Sequence, residues 1–181
     1  MYFFSFNNIS FRVDIFMHLI TTTVLLIISS TFCFGQKFEN AIKLLNDKLD
    51  YKLQDSIKQT PSLEEQLSKR FKTCSKYQSE LSNLNLNEII SSKHSYLKQQ
   101  NHDDNYTYSS FQFIEVKFSS IKSANEFKLI LDQLGNRTDC ISKGGILWWT
   151  NGMYMYFIVS HAYFMTYKYP ELKSVIDKAI D

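Results

Sequence analysis

The hairpin pattern in residues 144–160 constrains this fold more than any other stretch of the chain. It reads G-G-I-L-W-W-T-N-G-M-Y-M-Y-F-I-V-S, so two aromatic and β-branched runs flank Asn151 and Gly152. An Asn-Gly pair favours the positive φ angles of a two-residue type I′ turn. The pattern therefore predicts antiparallel strands at about 145–150 and 153–160.

The two predicted strands give the hairpin two different faces, because side chains alternate across a strand. In the predicted register Thr150 lies opposite Met153, and Trp148 and Trp149 fall on opposite faces. Both faces are apolar, so we expect each to be covered by the body of the domain, a second layer or a partner. One face holds Leu147, Trp149, Tyr154, Tyr156 and Ile158, and the other holds Ile146, Trp148, Met155, Phe157 and Val159.

The sequence around the hairpin predicts an α+β domain over residues 106–181. Ser123 and Glu126 have the spacing of a capping box that begins a helix, and Gly135 suits the left-handed residue that ends one. The predicted order is β-α-β-β-β-α, which is typical of an antiparallel sheet with helices on one face. Its elements are a strand at 111–118, the capped helix, the hairpin, a strand at 163–168 and a helix from Pro170.

Residues 36–100 form a predicted helical segment. Apolar residues at three- and four-residue steps predict one helix over 37–59 and a second from Pro61 to about Ser82. The short join between them favours an antiparallel helical hairpin, and the alternative is a dimerising coiled coil. A shorter helix is expected within residues 87–97, before a polar loop that leads to the α+β domain.

The first 35 residues have the pattern of a targeting segment. An uncharged apolar run leads to Cys33 and Gly35, which occupy positions −3 and −1 of a cut before Gln36. This arrangement predicts a cleaved signal peptide, with Met17 as an alternative start of the chain. The mature protein is then expected to be secreted or periplasmic.

Cleavage before Gln36 leaves Cys74 and Cys140 as the cysteines of the mature chain. In an oxidising compartment two cysteines indicate a disulfide, and the alternative is two buried thiols. Without cleavage, residues 15–34 are long enough to anchor the chain in a membrane. Membrane contact is therefore expected only through an uncleaved N-terminal segment.

Composition and motif content exclude several function classes. The formal net charge is +2 with no basic patch, so nucleic acid is not an expected partner. The chain has 5 glycines and lacks the G-x-G-x-x-G, G-x-S-x-G and Walker loops. It also lacks H-E-x-x-H and C-x-x-C, so the sequence predicts neither a cofactor nor a metal site.

Aromatic residues of the sheet are the predicted binding residues. Trp and Tyr offer rigid contact area with polar tips, which is typical of protein interfaces and sugar-binding surfaces. The leading interpretation is therefore an exported, non-enzymatic protein that binds a protein or a carbohydrate, and the alternative is that these rings form the core. The candidates are Trp148, Trp149, Tyr154, Tyr156, Tyr163 and Tyr167.

The alternative function is a small secreted hydrolase with a site assembled from scattered residues. Cys140, His161 and Asp139 carry the side chains that such a site needs as nucleophile, base and orienting group. An enzyme of this kind requires a concave pocket in which at least two titratable groups lie within hydrogen-bond reach.

One arrangement in the second half of the chain resembles a known fold family. A predicted helix ends in Leu134 and Gly135, a short polar connection follows, and a Trp-bearing hairpin carries Phe157 in its second strand. This order resembles a repeat unit of small envelope lipoproteins with the β-lactamase-inhibitor-like fold. The resemblance implies a protein-interaction role and no catalysis.

Overall fold

The chain divides into two compact units, Met1–Glu39 and Asn40–Asp181. Residues 36–39 of the first unit are helical, and the second unit contains the sheet. Among the residues that can be described, no helix is long and apolar enough to cross a membrane. The computed structural model describes residues 36–54, 62–71, 83–100, 109–135, 145–160 and 163–181.

Five antiparallel strands form one sheet in the order β1-β2-β3-β5-β4. Helices accompany it, which confirms the predicted α+β class. The strands are β1 (Tyr51–Leu53), β2 (Ile89–Gln99), β3 (Ser110–Phe118), β4 (Ile146–Asn151) and β5 (Tyr154–Val159). The helices are α1 (36–49), α2 (Leu63–Phe71), α3 (Ile121–Gly135) and α4 (Tyr169–Ile180), with 3-10 turns at Leu86–Glu88 and Tyr163–Lys168.

One face of the sheet, called here the α3 face, packs against α2 and α3. Alternation along β3 points Ile114, Val116 and Phe118 to this face, and all three are fully buried. These three residues belong to a core that also includes apolar residues of α2, α3 and β5. That core also contains Leu63, Leu67, Phe71, Ala124, Phe127, Leu131, Leu134, Met155, Phe157 and Val159.

The opposite face, called here the α4 face, is covered by α4 and the turn before it. The ammonium of Lys173 lies 5.2 Å from the centre of the Trp149 ring. Asn151 Nδ2 donates to Asp181 Oδ1 at 3.1 Å, which ties the hairpin turn to the end of the helix. The expectation that both apolar faces require a cover is therefore confirmed. The expectation of helices on one face is wrong, because α2 and α3 cover one apolar face and α4 covers the other.

The hairpin exists, but its turn lies one residue later than predicted. Asn151 pairs with Tyr154, so the two turn residues are Gly152 and Met153. Only Gly152 of this turn has a positive φ, 61°, which is the requirement of a type II′ turn and not of type I′. The pairing is shifted by two residues, and an even shift leaves every side chain on its predicted face.

The segment predicted as helical over 36–100 contains two strands. A helix is expected within residues 87–97, but Ile89–Gln99 form β2, because pairing with β3 buries Leu97 and overrides the local pattern. Helix α1 ends at residue 49, where Asp50 adopts a positive φ of 56° that a helix does not continue through. The sheet therefore crosses the boundary expected between the two segments, and strand β1 lies between α1 and α2 in the chain, where the sequence predicts a short join.

Three smaller expectations are also wrong. Residues Tyr163–Lys168 form a 3-10 turn and not a strand, because they lead directly into α4. Helix α3 begins three residues early, with Ser120 as its cap: the Ser123 N–H donates to Ser120 Oγ at 3.0 Å. Gly135 is the last helical residue, and its φ is not positive.

Candidate functional site

The structure distributes the predicted aromatic binding residues between core and surface. Trp149 and Tyr156 are buried, with 7% and 1% of their surface exposed. Trp148 and Tyr154 are half-buried, and Tyr167 is exposed at 62%. The side chain of Tyr163, and residues Cys74, Asp139, Cys140 and His161, lie outside the part of the chain that the structure describes.

Trp148 is fixed beneath helix α3 on the α3 face. Its indole N–H donates to Asp132 Oδ1 at 2.8 Å, and Lys128 pairs with the same carboxylate. The ring lies so close to Gly135 that a Cβ there would be 2.5 Å from Trp148 Cη2. Half-burial of Trp148 therefore reflects packing at the edge of the core.

Three aromatic rings stack in a row on the α4 face. The ring centres of Tyr154 and Tyr156 are 6.4 Å apart, and those of Tyr156 and Trp149 are 5.6 Å apart. Ammonium groups lie over both ends, with Lys117 5.9 Å from the Tyr154 ring and Lys173 beyond Trp149. The ring at each end of the row therefore contacts a lysine ammonium of the same chain.

A buried carboxylate accompanies this row of rings. Glu115 is 5% exposed and lies opposite Tyr156 in the sheet register. Burial raises the pKa of Tyr156, and the Glu115 carboxylate that accepts its hydroxyl hydrogen bond raises this pKa further. The phenol therefore stays protonated at neutral pH, which suits a fixed hydrogen-bond donor and not a general base.

A chain of polar side chains crosses the α3 face between β2, β3 and α2. His94 Nε2 lies 3.2 Å from Ser92 Oγ, and His94 Nδ1 lies 3.2 Å from Gln112 Nε2. Gln66 on α2 donates to Gln112 Oε1, and both amide side chains are buried. Burial lowers the pKa of His94. The arrangement has the outline of a nucleophile, a base and an orienting group.

The direction of these hydrogen bonds opposes nucleophile activation. The donation from Gln66 uses Gln112 Oε1, so Gln112 presents its N–H to His94 Nδ1. Because Nδ1 then accepts, the ring proton sits on Nε2 and is donated toward Ser92. In this arrangement His94 has no free lone pair to accept the Ser92 proton. The four side chains therefore form a hydrogen-bonded polar cluster on the sheet.

A groove of about 290 Å³ lies along α3 beside the segment that precedes β2. Asn83 and Asn85 stand at alternate positions of that segment, and Glu126 lies on the exposed surface of α3. The floor includes the half-buried Ile130. The complete lining, called here the α3 groove, is Asn83, Asn85, Glu88, Lys122, Ser123, Glu126, Phe127 and Ile130.

Glu88 is the fixed charge of the α3 groove. Its Oε2 accepts hydrogen bonds from the hydroxyls of Ser119 and Ser123, the latter at 3.0 Å. These two bonds, Ser119 first, lower the pKa of Glu88, so the carboxylate stays ionised well below neutral pH. The groove therefore combines an oriented anion with amide, hydroxyl and ammonium groups.

The α3 groove is not among the sites predicted from the sequence. Its signal is the L-S-N-L-N-L-N-E stretch, in which the asparagines at 83 and 85 alternate with leucines. In the structure residues 83–88 form a turn followed by the 3-10 helix Leu86–Glu88, in which Leu84 and Leu86 pack against the core while Asn83 and Asn85 line the groove. The contribution of α3 is not visible from the sequence, because it depends on how the helix lies against this stretch.

Replacing Glu88 by glutamine should flatten the acid side of the stability curve. The folded-state pKa is lowered, so the ionised carboxylate stabilises the fold above the unfolded-state pKa near 4.5, and that contribution is lost as the pH falls through the folded value. We expect urea midpoints of the wild type to fall more steeply between about pH 5 and 3 than those of Glu88→Gln. Ser123→Ala should give an intermediate slope, and parallel wild-type and Glu88→Gln curves would contradict the assignment.

Comparison with known proteins adds no function to this geometry. Within the described ranges, no group of three or more His, Cys, Asp or Glu side chains is placed to hold a metal ion. No protein-family model, curated protein or solved structure matches the chain.

Proposed function

We propose that this chain is an exported, non-enzymatic binding protein that holds a glycan in the α3 groove. The observation that carries the proposal is the groove itself, a concave site of about 290 Å³ at the small end of ligand pockets. A site of this size suits one unit of a sugar chain whose remainder extends into solvent.

The chemistry of the lining matches sugar hydroxyls better than an apolar peptide. Each sugar hydroxyl both donates and accepts, and the amide of Asn83 does the same. Asn85 Nδ2 and Lys122 are donors and Glu88 is an acceptor, while Asn85 Oδ1 already accepts from the Asn87 N–H. Fixing Glu88 through two serine hydroxyls preorganises one acceptor before a ligand arrives, which reduces the ordering cost of binding. Ile130 supplies an apolar contact for the carbon face of a ring.

The aromatic sheet contributes to this proposal in a different way from the one expected. Trp149 and Tyr156 support the fold under α4, so among the candidates whose side chains the structure describes Tyr167 has the largest exposed fraction. A protein partner at Tyr167 stays the second form of the binding hypothesis. The hydrolase built from Cys140, His161 and Asp139 stays an alternative that no described residue addresses.

Export is the second half of the proposal. It is supported by the uncharged apolar run and by Cys33 and Gly35 before Gln36. A disulfide between Cys74 and Cys140 belongs to the same hypothesis, because it requires an oxidising compartment. Mass spectrometry of protein recovered outside the cytoplasm should then give a chain that begins at Gln36.

A glycan microarray followed by calorimetry tests the binding proposal. We expect Asn83→Ala and Glu126→Ala each to weaken binding of a captured glycan by about tenfold, the effect of losing one hydrogen bond of about 1.4 kcal/mol. Asn125→Ala is the matched control, because it is exposed on the same helix but does not line the groove. Equal affinities for all four proteins, or no glycan captured by the mature chain, would refute the proposal.

A further inference from the structure

Strand β4 forms one edge of the sheet, and its backbone pattern shows which groups face outward. The Ser160 N–H donates to Gly145 O, so residues 145 and 160 form a hydrogen-bonded pair. Such pairs recur every second residue along an antiparallel ladder. The N–H and C=O groups of Ile146, Trp148 and Thr150 therefore point away from β5, and no described strand pairs with them.

The two edges of the sheet differ in their protection against further pairing. Natural edges are blocked by lysines, bulges or short strands. At the far edge β1 has three residues, Lys52 and Lys98 lie on the paired strands, and the β2 register shifts at Ile90. Strand β4 reads I-L-W-W-T-N, with no charge, no proline and no bulge. Within the described ranges, no strand occupies its outward groups, which suits them to pairing with another strand.

We propose that β4 pairs with β4 of a second copy of this chain, antiparallel about a two-fold axis at Trp148. In this register Trp148 faces its own copy, and Ile146 of each chain faces Thr150 of the other. All three positions present outward N–H and C=O groups, so the three pairs make about six hydrogen bonds. The arrangement is self-complementary, as a two-fold interface requires.

Charge on the flanking helices favours a second copy over an unrelated strand. Beside Trp148, helix α3 carries the pair Lys128–Asp132, and beside Trp149, helix α4 carries the pair Lys173–Asp177. A two-fold axis places each helix antiparallel to its copy. Two antiparallel Lys–Asp pairs attract, because the ammonium of one lies toward the carboxylate of the other.

The proposed dimer leaves the α3 groove open, so it is independent of the glycan proposal. Glu126 and Ile130 line the groove, whereas Asp132 lies against Trp148. Residues two apart on a helix are separated by about 200°, which places Lys128 and Ile130 on opposite sides of α3. Each copy therefore retains its own groove.

Sedimentation velocity of the mature chain over about 5 to 500 µM tests the proposal, since a six-residue edge gives a small interface and a weak dimer. We expect a concentration-dependent dimer for the wild type. Thr150→Lys and Thr150→Glu should both be monomeric, because each places a charged side chain opposite the apolar Ile146 of the other copy. Ser91→Lys, at an exposed position of β2, is the control and should dimerise as the wild type does.

Circular dichroism melts of the variants check that each is folded. A wild type that is monomeric at the highest concentration, or Thr150 variants that dimerise normally, would overturn the proposal. A monomeric wild type whose β4 amides shift in NMR spectra on adding an extended apolar peptide would assign the edge to a peptide partner instead. Loss of glycan binding in a Thr150 variant would contradict the independence of edge and groove.

Discussion

Replacing Trp149 by alanine should lower the free energy of unfolding by about 3–5 kcal/mol, the range for truncating a buried large aromatic side chain. The indole is 7% exposed, stacks on Tyr156 and lies beneath Lys173 of α4. Removing it opens a cavity between the sheet and that helix. Urea unfolding followed by circular dichroism measures the loss.

Two variants separate packing from other contributions of this ring. Trp149→Phe should cost much less than Trp149→Ala, because the buried indole N–H finds no hydrogen-bond acceptor among the described residues and its removal leaves nothing unsatisfied. Tyr167→Ala, at a side chain that is 62% exposed, should change stability by about 0.5 kcal/mol or less. A Trp149→Ala protein as stable as the wild type would show that the ring is not part of the core.

The hairpin shows what an alternating pattern determines from sequence alone. Face membership depends only on parity, so Trp148 and Trp149 were placed correctly although the turn type and register were wrong. Turn position depends on which residue adopts the positive φ, and both Asn151 and Gly152 are suited to it. The structure selects Gly152 alone, and the pairing shifts by two residues.

Strand β2 shows where local reasoning fails. Its sequence, I-I-S-S-K-H-S-Y-L-K-Q, mixes polar and apolar residues, and its two buried residues, Ser95 and Leu97, both lie late in the strand. What makes it a strand is its long pairing with β3 over residues 91–98, a contact between distant parts of the chain. Pairing between distant strands cannot be read from a short stretch of sequence. The helix expected over 87–97 rests on local propensity alone, without the pairing that decides the structure there.

The α3 groove could be predicted only in part for the same reason. The alternating asparagines at 83 and 85 are visible in the sequence, and so is the serine-rich start of α3. Their meeting at Glu88 depends on β2 and β3 lying side by side, because the Ser119 N–H donates to Glu88 O across that strand pair. The site is thus a consequence of the strand that the sequence did not reveal.

Gly135→Ala should destabilise the protein by about 1–3 kcal/mol, the usual cost of overpacking a core. Alanine in a helix ordinarily gains about 0.5–1 kcal/mol over glycine, and Gly135 has no positive φ to oppose it. The opposing term is steric: the new Cβ would lie 2.5 Å from Trp148 Cη2 and 2.8 Å from Cζ2. The ring has little freedom to retreat, because Asp132 holds its N–H.

A double-mutant cycle with Trp148→Phe distinguishes this clash from a general loss of helix stability. Phenylalanine has one ring and lacks the outer fused ring of the indole, whose Cη2 and Cζ2 atoms approach Gly135. Gly135→Ala should therefore become neutral or stabilising in the Trp148→Phe background. Gly152→Ala is the contrasting control, because nothing lies within 4 Å of its Cβ and its cost comes from the positive φ of 61°. That cost should be the same with either residue at 148. If Gly135→Ala raises the urea midpoint in the wild-type background, the helix does not need glycine for the approach of Trp148, and the contact that joins α3 to the edge strand is looser than the geometry requires.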